Sequence, residues 1–184
     1  MAENLKVTHY RNGDPISNVT DNSEWENLSP SVYCYYDNSD SLRQIYGALY
    51  NWYTCVDERN IAPEGWYVPT DEEWEELAQY ISDQNGGYSK SRDDWDDVGT
   101  HLKSTSGWNS GGNGTDDYGF SGLPAGYRDT NGSYYSMGDR AHFWSATEYS
   151  SRDAWRRALD CYYANFYRGF NRKGRGFSVR CVRD

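Results

Sequence analysis

No apolar run in this 184-residue sequence approaches the roughly 20 residues that a membrane-spanning helix needs, so no such helix is expected. The opening residues, Met1-Ala2-Glu3-Asn4-Leu5-Lys6, lack the basic and apolar segments of a secretory signal, and none is expected in this chain. Cysteine is sparse. Cys34, Cys55, Cys161 and Cys181 form no C-x-x-C pair and have three scattered histidines for company, which argues against a zinc site or a thioredoxin-like motif. Two disulfides are possible, but a chain of this size builds a core without them. Positive charge is also in deficit, with 18 basic against 28 acidic residues and a formal net of −10. That balance opposes general affinity for nucleic acid or an anionic membrane. With no repeat, heptad pattern or low-complexity linker to divide it, residues 1–184 read as one domain.

What is present is aromatic and turn-rich: 17% Phe, Trp and Tyr, with 18 glycines. Thr70-Asp71-Glu72-Glu73 is a capping box, and Trp74, Leu77, Ala78 and Ile81 follow at helical spacing until Gly86-Gly87. A second helix is predicted over Ser41 to about Tyr53, capped by Ser41, with Leu42, Ile45, Leu49 and Trp52 on one stripe. Residues 86–138 read as loops and tight turns around short aromatic segments. Near the end, Gly176-Phe177-Ser178-Val179-Arg180-Cys181-Val182 alternates as a half-buried strand does, sending Phe177, Val179 and Cys181 inward and Ser178 and Arg180 outward. The class is α+β.

Charge is unevenly distributed. From Tyr149 to Arg175 there are seven basic and two acidic residues, a net of +5, which leaves −15 for the remainder. Aromatic side chains are interleaved with those arginines.

Several motifs, taken in order, carry a resemblance: Met1-Ala2-Glu3-Asn4-Leu5, Ile45-Tyr46-Gly47-Ala48-Leu49-Tyr50-Asn51-Trp52-Tyr53, Pro63-Glu64-Gly65-Trp66-Tyr67-Val68-Pro69-Thr70 and Leu102-Lys103-Ser104-Thr105. Further along stand Asp117-Tyr118-Gly119-Phe120, Leu123-Pro124-Ala125-Gly126-Tyr127-Arg128, Phe143-Trp144-Ser145-Ala146-Thr147-Glu148 and the closing Gly176 to Val182 run. Over essentially its whole length the chain resembles the Fibrobacter succinogenes major paralogous domain. That resemblance implies a C-type-lectin-like (formylglycine-generating-enzyme-like) fold, with two helices, small antiparallel sheets and extensive loops. It is also similar to the variable proteins of diversity-generating retroelements, in which randomised C-terminal residues on one exposed face select the ligand. Randomising the adenines of Asn codons cannot produce Trp, Lys, Glu, Gln or Met, and of these only Trp155 and Lys173 occur between Tyr149 and Arg175. Those two are expected to be scaffold. The family usually has Cys at the position of Ala62 and His at that of Tyr67, so the disulfide that the resemblance would imply for Cys181 lacks its usual partner.

The reading is therefore a receptor-type variable protein with a ligand-binding region at about 149–175. Its expected contacts are Tyr149, Arg152, Asp153, Arg156, Asp160, Tyr162, Tyr163, Asn165, Tyr167, Arg168, Phe170, Asn171, Arg172 and Arg175. Tyr, Trp and Arg dominate interface hot spots, which makes these types suitable anchors, while Trp155 and Leu159 are assigned to the core. The expected partner is a protein or carbohydrate on a cell or virion surface, with no nucleic acid and no membrane insertion. The alternative is a fixed cell-envelope or adhesion module of the same fold. No cofactor is expected, and no metal: Asp93-Asp94, Asp96-Asp97 and Asp116-Asp117 lack EF-hand spacing and read as solvated loop charge. No catalytic residue is expected either. The formylglycine-generating relatives use a reactive cysteine pair, for which Cys161 and Cys181 are the candidates here, yet Cys181 reads as an inert buried thiol. His9, His101 and His142 show no pattern that supports a general base. The sequons at Asn18, Asn27, Asn113 and Asn131 match by chance in so Asn- and Ser-rich a chain.

Overall fold

A computed structural model describes residues 2–27 and 30–183. Met1 of the first motif, Leu28 and Ser29 of the Asn27 sequon, and Asp184 lie outside the described residues. The first half runs β1 (Ser17–Asn18), α1 (Asn22–Glu26), β2 (Val32–Cys34), α2 (Asp40–Tyr46), β3 (Leu49–Tyr50), α3 (Trp52–Cys55), β4 (Trp66–Tyr67) and α4 (Asp71–Gln84). The second half adds β5 (Lys90–Ser91), β6 (Asp94–Trp95), α5 (Val98–Leu102), β7 (Ala125–Arg128) and β8 (Tyr134–Met137). It ends with the long strands β9 (Arg140–Glu148), β10 (Asp153–Asp160) and β11 (Tyr163–Arg172), and then β12 (Val182–Arg183). The α+β class stands, but the main sheet is not small. It has seven strands in the order β5-β6-β11-β10-β9-β7-β8, mostly antiparallel, with β7 parallel to β9. β1-β2-β3 and β4-β12 form two lesser sheets.

The capping box forms as expected: Glu73 N donates to Thr70 Oγ1 at 3.2 Å, and Thr70 N donates to Glu73 Oε2 at 2.8 Å. Trp74, Ala78 and Ile81 of α4 then pack with Val98, Leu102, Phe143, Leu159 and Phe166 on one face of the main sheet. The opposite face is covered around Trp144 and Ala154 by Phe177, Val179, Tyr50 and Leu5. Burying such side chains contributes about 1.5–3 kcal/mol each.

The expected helix from Ser41 to Tyr53 is instead two helices with a strand between them. Ser39, not Ser41, caps α2, and Ile45 is 58% exposed. The break is at Gly47, whose φ is 78° and whose Cβ position would lie 2.8 Å from Asn4 Cβ and 2.9 Å from Leu5 O. The N-terminal segment crosses there, and Ala48 N donates to Leu5 O at 3.0 Å. Tertiary pairing has overridden helical spacing.

The C-terminal segment also differs from its half-buried prediction. Phe177 pairs with Tyr50 on one side and Ser178 with Phe143 on the other, so both faces are enclosed and Ser178 and Arg180 are 0% and 2% exposed. Arg180 donates to Asn4 Oδ1 at 2.6 Å, Phe120 O at 2.5 Å and Ser121 O at 3.0 Å, which meets the cost of enclosing a charge. Burial pulls this guanidinium down to about 10.

The stretch 86–138, expected as loops and turns, also contains α5 and four short strands. Its aspartates are not simply solvated. Asp94 Oδ1 accepts from Arg168 N at 2.9 Å, Asp96 Oδ1 from Asn165 Nδ2 at 2.7 Å, and Asp116 from Ser121. They tie this stretch to β11 and to itself.

Candidate functional site

The window from Tyr149 to Arg175 folds as the β10–β11 hairpin, in the middle of the main sheet. β9 flanks one side, while β6 and α5 flank the other. Gly99 of α5 permits that approach, because a Cβ there would lie 2.4 Å from Asn165 O. The turn is fixed from beneath by Lys103, a buried ammonium that donates to Asp160 O at 3.2 Å and Tyr163 O at 2.9 Å. Burial holds Lys103 below its ordinary value.

Register divides the expected contact residues between two surfaces. Trp155 lies opposite Phe170 and Arg157 opposite Arg168, whereas Arg156 lies opposite Gly169 and Ala158 opposite Tyr167, and alternate residues point to opposite faces. On the first surface Tyr149 and Phe170 stack with centroids 3.9 Å apart, and Trp155 packs edge-on against both. Arg168 lies 3.6 Å over the Trp155 ring, and its Nε donates to Asp71 at 2.7 Å. Trp155 is therefore half-buried within an outer aromatic cluster, not in the core, because α4 begins at Asp71 and leaves the far end of the hairpin uncovered. Leu159, at 0% exposure, is in the core as expected. Asp153 and Arg172 face each other across this end at 3.7 Å, and Arg152 is exposed beside them.

The second surface holds a cavity of about 360 Å³ lined by Arg140, His142, Arg156, Asp160, Tyr163 and Tyr167, with Ala158 and Leu159 also against it. Phe177 covers Trp144 and stacks on His142 at 4.7 Å, and beyond His142 this face of the sheet is open. Tyr163 and Tyr167 form an edge-to-face pair 6.2 Å apart. Burial, with Asp160 near, raises the Tyr167 hydroxyl to about 12. His142 is 6% exposed, and burial together with Arg156, Arg140 and Arg175 holds its imidazole well below the ordinary value of 6.5.

Other expected contacts are already engaged within the protein. Asp160 is buried and accepts from Arg140 Nε at 2.7 Å and Tyr162 N at 2.9 Å, so it shapes the turn. Asn165 holds Asp96, Asn171 accepts from Arg175, and Arg175 donates to Asp129 at 3.0 Å. Tyr162 and Tyr163 are 69% and 57% exposed at the turn. Lys173 is buried and donates to Glu148 and Ser151 O. Arg140 and His142 fall before the expected window, and the alternation of β9 that aims them into the cavity was their only sequence signal.

The family model described as Fibrobacter succinogenes major domain matches residues 1–183. The chain belongs to that family. No curated protein and no solved structure matches it. Within this Fibrobacter succinogenes major domain all four cysteines are buried, and Ala62 is 1% exposed in the core that also contains Cys181. Burial raises Cys34 and Cys181 to about 11, and it raises Cys161, beside Asp139 and Asp160, above the usual thiol value. Each shift disfavours the thiolate that cysteine chemistry requires. Among the described residues no group of three His, Cys, Asp or Glu side chains is placed to hold a metal ion, and no helix is long and apolar enough to cross a membrane.

Proposed function

We propose that this domain is a recognition module, a C-type-lectin-like variable protein of a diversity-generating retroelement that binds its ligand through the outer side chains of the β10–β11 hairpin and performs no chemistry. One observation carries the reading: the hairpin backbone is paired along β9 on one side and held to β6 at Phe166 on the other, while Tyr149, Tyr162, Tyr163 and Phe170 remain exposed upon it. Such an arrangement allows side chains to change without altering the strands that carry them. Large exposed aromatics beside arginines are typical of binding surfaces. The partner is then a protein or carbohydrate, and the acidic remainder of the chain opposes nucleic acid.

Sequencing the 3′ end of the gene and its flanks tests this reading. A near-identical repeat that differs only at template adenines, at codons for outward hairpin positions and near a reverse transcriptase, is the expected result. Absence of repeat and reverse transcriptase would overturn it in favour of a fixed cell-envelope or adhesion module.

A further inference from the structure

The cavity between β9 and the hairpin contains cationic and polar groups without a hydrogen-bond partner among the described residues. Arg156 Nε and Nη1 are buried without a hydrogen-bond partner, as are both ring nitrogens of His142. A buried polar group left unpaired costs about 1–3 kcal/mol, and more when it is charged. Arg140, the other cation of the cavity, is engaged with Asp160, so Arg156 is the one that remains open. Gly169 lies opposite Arg156 in the register, and a side chain there would begin 3.2 Å from Arg156 Nη2. The guanidinium therefore lies over Gly169, in the space that any side chain there would need.

We infer that this cavity receives the carboxylate of a Glu or Asp side chain presented by a partner protein, held by Arg156 with His142 behind it. The assignment rests on the reading of the hairpin as the recognition surface and names the chemistry recognised there. A guanidinium offers donors only, in a fork that matches the two oxygens of a carboxylate. A neutral imidazole adds one further donor. Ala158 and the rings of Tyr163 and Tyr167 form walls suited to a short aliphatic stem. An uncharged sugar would leave the buried Arg156 cation without a counter-charge, whereas a carboxylate supplies one, and Asp160, the carboxylate of the lining, is already occupied by Arg140 and Tyr162 N.

The test is an NMR titration of the full chain, following the His142 ring signals, with the peptide Ac-Gly-Glu-Gly-NH2 and its neutral isostere Ac-Gly-Gln-Gly-NH2. The glutamate peptide should give a saturable shift and the glutamine peptide none. Arg156→Gln should weaken binding at least tenfold, Arg156→Lys should weaken it less, and Lys6→Gln, outside the cavity lining, should leave it unchanged, with thermal melts confirming that each variant folds. Equal response to both peptides, no saturable shift, or undiminished binding by a folded Arg156→Gln variant would overturn the assignment. Tighter binding of glucuronate or inorganic phosphate than of the glutamate peptide would do the same. Because the titration needs no knowledge of the gene's flanks, it can fail while the recognition reading stands, or succeed where that reading fails.

Discussion

Asp71, the first residue of α4, accepts from Arg168 Nε at 2.7 Å through one carboxylate oxygen while the other accepts from Arg157 Nη2 at 2.9 Å. This carboxylate joins the helix to the β10–β11 strand pair, which carries the proposed binding surface. Arg157 has no exposure, and burial holds its guanidinium below the ordinary value; its other charged neighbour is Glu75, at 3.5 Å.

Replacing Asp71 by Ala leaves the buried Arg157 with the more distant Glu75 and the backbone carbonyl of residue 71, and up to about 3–5 kcal/mol of stability should be lost. Arg168→Gln removes a partly exposed partner and should cost about 1 kcal/mol. Urea denaturation of the two variants measures both, and equal losses would contradict the bridging role.

Lys103→Met should leave the carbonyls of Asp160 and Tyr163 without their buried donor, at a cost of about 1–3 kcal/mol. The same variant should speed hydrogen exchange at Tyr162 N and its neighbours in the hairpin turn. Unchanged exchange would show that Lys103 does not fix the turn.

Gly99→Ala should destabilise by about 1–3 kcal/mol or more, since the added carbon meets the backbone of β11 rather than a movable side chain. Gly65→Ala serves as the comparison: it has open space at its Cβ and pays only for its φ of 74°. Thermal melts that ranked Gly65→Ala as the more damaging would contradict the close approach of α5 to the hairpin.

The folded His142 has a depressed pKa, so its contribution is fully present above the unfolded value near 6.5 and is lost as pH falls from there toward the folded value. Over that interval the unfolded chain takes up a proton that the folded chain does not, and the slope reaches at most about 1.4 kcal/mol per pH unit. His142→Phe, which keeps the stack on Phe177, should flatten the fall in Tm between pH 7 and pH 5. An unaltered pH profile would exclude His142 as the responsible group.

These joints also show what could be read in the sequence. The Thr70 capping box and the α4 stripe were legible because they are local, and the family motifs were legible because they occur in order. Gly47 was not recognisable as a break, since it matters only where Asn4 and Leu5 cross it. The hairpin strands were hidden because Arg157 points into the core and Arg156 into a cavity, so neither shows the alternation of a half-buried strand. Composition and charge pointed to the window from Tyr149 to Arg175, but not to its division between two faces. Alternation along β9 puts Arg140 and His142 on one face, but it is the pairing of β9 with β10 that brings them to Arg156.

The account depends most on the claim that the hairpin's outer side chains can change while its backbone holds. Two libraries measure it: one randomises Tyr149, Arg152, Tyr162, Tyr163, Phe170 and Arg172, and the other randomises Arg157, Leu159 and Phe166. In a chain of this size a loss of 1 kcal/mol lowers Tm by roughly 2–4 °C. Most members of the first library should melt within a few degrees of the parent, while most of the second should fail to fold. If the outward library unfolds as often as the inward one, the hairpin is not a surface built for change.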